Sequence, residues 1–123
     1  MIINQKRKIK INNKLYRIIV DTYPNNRICL KCQNKNEEYD LTINLEDAFI
    51  NDGHVFLDPK VKNNGVLKEL KKKRIIKDIC GVINYQYVDI PIATLNMGIL
   101  RKYDNEGVNK HLIKVTGGDL HEY

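Results

Sequence analysis

Tyr39-Asp40-Leu41-Thr42-Ile43-Asn44-Leu45 alternates apolar and polar side chains without a break. Successive strand side chains point to opposite faces, so Tyr39, Leu41, Ile43 and Leu45 share a buried face while Asp40, Thr42 and Asn44 face water. A few residues earlier, Arg27-Ile28-Cys29-Leu30-Lys31-Cys32-Gln33 repeats the pattern, with Ile28, Leu30 and Cys32 inward and Arg27, Lys31 and Gln33 outward. The polar run from Asn34 to Glu38 joins the two, and the whole reads as an antiparallel hairpin with one wet face.

Toward the N-terminus, Lys8-Ile9-Lys10-Ile11 and the stretch from Leu15 to Tyr23 form a first hairpin around Asn12-Asn13-Lys14, a turn sequence that tolerates left-handed backbone. Tyr16, Ile18, Val20 and Thr22 share one of its faces. Pro24, with fixed φ and no N–H, then separates this hairpin from the third strand. Beyond Leu45 the alternation stops, Asn51-Asp52-Gly53 signals a turn, and His54 to Leu57 reads as a short fifth strand closed by Asp58-Pro59.

Val66, Leu67 and Leu70 make one helical stripe, capped by Asn63 or Asn64, with Lys68, Lys71 and Lys72 on the opposite side. Two or three turns are marginal alone, so this helix has to pack on the sheet. Gly81 to Leu95 reads as further strand, and Pro91 puts an edge or a bulge in it. Ile99 to Tyr103 and Val108 to Val115 read either as a hairpin turned at Asn105-Glu106-Gly107 or as a short helix, followed by frayed residues 117–123. The expected fold is α+β: a mainly antiparallel sheet of five or six strands with one short helix packed on a face. Residues 1–97 form the domain and 98–123 a C-terminal extension.

A chain of 123 residues is one domain, large enough for a core without staples. No apolar run approaches the ~20 residues that cross a bilayer, and the basic start is followed by no apolar stretch. A cytosolic protein with three reduced cysteines is therefore expected. The net charge of +6 conceals segregation: residues 1–38 carry nine Lys or Arg against three acids, 39–58 five acids and no base, and 60–77 eight bases against Glu69. A chain charged in blocks presents a basic face and an acidic edge, and either attracts partners.

Cys29-Leu30-Lys31-Cys32 is a CxxC, with Cys80 and His54 available as further ligands. An offset of three within a strand sends the two thiols to opposite faces, so both read as packing residues and not as a metal or redox pair. No nucleophile elbow, metalloprotease helix or phosphate-binding glycine loop occurs, and Glu46, Asp47, Asp52 and Asp58 read as a solvated acidic edge. No cofactor, metal or enzyme activity is expected. The strongest basic cluster is Lys68, Lys71, Lys72, Lys73, Arg74 and Lys77, joined by Lys60 and Lys62, and such clusters contact phosphates. Tyr85 and Tyr87 would offer bases a stacking platform if their face is open, and would otherwise close the core.

The middle of the chain resembles a domain-of-unknown-function family of small proteins carried by conjugative elements and phages of Gram-positive bacteria. The resemblance rests on the residues from Tyr23 to Leu30, from Tyr39 to Leu45, from Val55 to Asp58, from Asn63 to Leu70 and from Tyr87 to Ile92. This chain departs from the family in its basic helix and in the segment from Met97 to Tyr123. The resemblance implies a fold and a mobile-element setting, and no catalytic residue. Small proteins of such elements often disarm host defences by stoichiometric binding. The expected function is therefore a counter-defence inhibitor, of the anti-CRISPR type, that occludes a host protein such as a defence nuclease. The alternative is an accessory nucleic-acid binder using the lysine-rich helix.

Overall fold

The computed structural model describes residues 7–62 and 65–116. The expected caps Asn63 and Asn64, and the frayed residues 117–123, lie outside the described residues. The protein is α+β, but its strands form two antiparallel sheets of four and not one sheet of five or six. The first sheet has the order β1-β2-β3-β4, from Lys8–Ile11, Lys14–Thr22, Ile28–Gln33 and Glu38–Asp40. The second has the order β5-β6-β8-β7, from Thr42–Ile43, His54–Leu57, Val88–Leu95 and Ile76–Tyr85. Helix α1 spans Val66–Lys72 and α2 spans Met97–Thr116.

The hairpin of β3 and β4 forms as expected, with Cys32 opposite Tyr39. The uninterrupted alternation from Tyr39 to Leu45 nevertheless belongs to two sheets, and the chain changes sheet at Leu41. Its N–H donates to Leu30 O in the first sheet at 2.9 Å, and its carbonyl accepts from Asp58 N–H at 3.0 Å. Thr42, expected outside, is 1% exposed. Its hydroxyl accepts from Leu30 N–H at 3.1 Å and meets the Tyr23 hydroxyl at 2.8 Å, so a buried polar group is satisfied where the strand turns inward.

The first hairpin matches its sequence closely. Asn12 and Asn13 take φ of 52° and 64°, which fixes Ile11 opposite Lys14 and Lys8 opposite Arg17. The stretch expected as continuous strand from Gly81 to Leu95 is instead a hairpin of β7 and β8, reversed at Gln86-Tyr87, where φ is 50° and 69°. Pro91 lies within β8 and opposite Val82 of the edge strand β7, and the pairing shifts register nearby between Ile79 and Gly81.

The segment from Met97 onward packs into the main core through Leu100, Tyr103 and Val108. It is a helix kinked at Asp104, whose φ of −154° and ψ of 77° are non-helical. Asp104 is an N-cap for the second half: its carboxylate accepts from Gly107 N–H at 3.1 Å. The same carboxylate accepts from Val20 N–H at 3.0 Å, an edge group of β2 beyond the end of β1. The residues read as a turn, Asn105-Glu106-Gly107, are thus the first turn of a capped helix docked on β2.

Candidate functional site

The outer face of the first sheet carries cations that strand register brings together. Lys8 stands opposite Arg17, and Arg17 opposite Gln33. Like charges directly opposite across strands cost roughly 0.2–1 kcal/mol, so Lys8 and Arg17 are held together against repulsion. With Lys35 and the amides of Gln33, Asn34 and Asn36 they line a concavity of about 790 Å³, whose lining among the described residues includes no carboxylate. Leu15, 54% exposed, lies in the same wall. Lys14 stands apart, bridged to Glu37 at 3.1 Å, a pairing that raises the lysine pKa and lowers that of the glutamate.

Lys68, Lys71, Lys72, Lys73, Arg74 and Lys77 are all exposed, on α1, the turn after it and the start of β7. Helix α1 buries Val66 and Leu70 in the main core and contacts β1, so this basic cluster neighbours the strand that carries Lys8 and Lys10. Tyr85 and Tyr87 are not part of it. At ~3.3 Å per strand residue, the eight steps from Lys77 to Tyr85 put them about 25 Å away. They do not form a platform either: Tyr85 packs on a small second core of Leu45, Phe56 and Ile90, while Tyr87 sits in the turn, 99% exposed.

Around that turn the surface is acidic and apolar. The Tyr85 hydroxyl approaches Asp47 at 3.4 Å, which places the hairpin tip beside the loop that carries Glu46, Asp47 and Phe49. Arg27, expected as an outward surface residue, holds this loop down. Its guanidinium donates to Leu45 O at 2.7 Å and Ala48 O at 2.6 Å, above the Phe56 ring at 5.8 Å.

The two cysteines of the CxxC do lie on opposite faces. Cys32 belongs to the main core, and burial pushes its thiol pKa up to about 12; Cys29 is buried beside Tyr23 and Thr42, and its pKa is likewise raised by burial. Neither favours the thiolate that metals and oxidants need. Cys80 is exposed. A thiol reagent should therefore modify Cys80 at once and reach Cys29 and Cys32 only as the chain unfolds, read by mass; rapid modification of all three would contradict this packing.

His54 and His111, 57 residues apart in the sequence, line one cleft of about 610 Å³ between Ile50, Asp52, Leu95 and the second half of α2. His111 Nδ1 is 2.7 Å from the Thr22 hydroxyl. Burial first, and Lys114 second, hold its pKa below the ordinary histidine value. Below about pH 6.5 the unfolded chain therefore binds a proton that the folded chain resists. Stability contributed by neutral His111 should be complete above that pH and decline as pH falls through the lowered folded value. A urea-midpoint profile checks this, and His111→Gln should flatten that part of it. Among the described residues no three His, Cys, Asp or Glu side chains are grouped to hold a metal ion. No helix among them is long and apolar enough to cross a membrane.

These features define the class: an α+β protein of two four-stranded antiparallel sheets. Set beside family models, curated proteins and solved structures, the chain matches none of them.

Proposed function

We propose that the protein is a small, cytosolic, non-enzymatic binding protein that acts by stoichiometric contact with another macromolecule, and that nucleic acid is the partner its basic surface fits best. The observation that carries this reading is the Lys8 and Arg17 pair on the outer face of the first sheet, set with Lys35 around a concavity and next to the lysines of α1. Repulsion between two cations is relieved when a phosphate lies between them, and backbone contacts of this kind need no base-specific reading. The partner is therefore a phosphate backbone, read with little sequence preference. Titrating a fluorescein-labelled DNA duplex by anisotropy over a salt series tests the reading, since affinity should fall steeply as salt rises.

The mobile-element inhibitor that occludes a host protein is the second reading. A separate observation favours it: the side chains of Phe49 and Tyr87 are exposed close to Asp47 and Asp89.

A further inference from the structure

Tyr87 is a bulky side chain at left-handed φ, in a two-residue hairpin turn that Asn-Gly or Asp-Gly would form without strain. It is also 99% exposed. A sequence that accepts both unfavourable conformation and unburied aromatic surface at one position presents that ring to something. Phe49 does the same from the neighbouring loop: Ala48 and Ile50 on either side pack on the second core, while Phe49 is 81% exposed. Val88, opposite Tyr85 in the register, adds exposed apolar surface next to the turn.

The two chain segments that carry these rings hold acidic charges only. No Lys or Arg occurs between Lys35 and Lys60, or between Lys77 and Arg101. Asp47 and Asp89 flank the tip, exposed Glu46 lies in the same loop as Asp47, and Arg27, just before β3, has its guanidinium committed to the carbonyls of Leu45 and Ala48. A phosphate backbone is repelled from such a surface. Guanidinium groups are attracted to it twice, by carboxylates that accept paired N–H bonds and by aromatic faces that stack on a planar cation.

We infer that the β7–β8 tip and the loop at Phe49 form a docking surface for an arginine-rich basic face of a partner protein. This gives the host-protein reading its partner class, and it does not depend on nucleic-acid binding by the basic surface. Aromatic residues central to an interface and paired with arginine carry a large share of its binding energy, so Tyr87 and Phe49 are the anchors and the carboxylates the polar rim.

The test uses the full chain and a fluorescein-labelled oligo-arginine peptide, with oligo-lysine and oligo-glutamate peptides of equal length as comparators. Oligo-arginine should bind, oligo-lysine more weakly and oligo-glutamate not at the tip. Tyr87→Ser with Phe49→Ser should weaken oligo-arginine about tenfold. Both side chains are exposed, so the unfolding midpoint should be unchanged, while Lys71→Glu with Lys72→Glu should leave peptide binding intact and weaken only the DNA duplex. Equal binding by the wild type and the tip variant, or no discrimination between arginine and lysine, would overturn the proposal. So would a wild-type dimer in sedimentation that the tip variant breaks into monomers, because the occupant would then be a second copy of this chain.

Discussion

Gly107→Ala should destabilise the protein by about 2–4 kcal/mol, although alanine is the better helix former by about 1 kcal/mol. A Cβ at Gly107 would stand 2.5 Å from the carbonyl oxygen of Val20 and still closer to the Asp104 carboxylate. Neither neighbour yields easily. Val20 O belongs to the β2 backbone, and Asp104 is held by N–H groups from β2 and from α2. To accept a methyl group the helix has to move off the strand, which stretches the bond from Val20 N–H and loosens the packing of Val108 and His111. Gly98→Ala is the control: its Cβ would meet only Asn96 Oδ1 at an ordinary 3.5 Å, and the substitution should be neutral or slightly stabilising. Urea unfolding of both variants checks the contrast, and equal midpoints would show that α2 is not seated on β2 as described.

The sequence and the structure part company at places with physical causes. Alternation records which face a side chain takes, but not which sheet receives it, so the sheet change at Leu41 was invisible in the run from Tyr39 to Leu45. The same blindness hid Gln86-Tyr87, a turn built without glycine, asparagine or proline. Helix α2 was more legible than its reading. Asp104 is a cap residue, and Val108, His111, Leu112 and Val115 follow at helical spacing. Gly107 made the stretch look like a turn because its purpose, close approach to β2, is a tertiary one. The Lys8 and Arg17 pair was also within reach: a two-residue turn at Asn12-Asn13 dictates that register, whereas block charges alone gave only a basic segment. Basic α1 was found as expected, and what it lacked was any link to Tyr85 and Tyr87, because the intervening strand is extended.

Lys8→Glu combined with Lys35→Glu should weaken binding of the DNA duplex by about 100-fold at ~0.1 M salt, since it removes two phosphate contacts and introduces two repulsions. The same change should not harm the fold. Glu at position 8 faces Arg17 and turns a like-charged cross-strand pair into an attractive one, worth ~0.5 kcal/mol in the folded state's favour. A structural role for these lysines predicts loss of stability, whereas a binding role predicts loss of affinity with stability kept or slightly raised. The two outcomes have opposite signs.

The most direct measurement is therefore the dependence of duplex affinity on salt for the wild type and for this double variant. The account predicts a steep fall of affinity with salt in the wild type, and a logarithmic slope shallower by about two in the variant. A wild-type protein that fails to bind duplex at low salt, or a variant that binds with the wild-type slope, would contradict it.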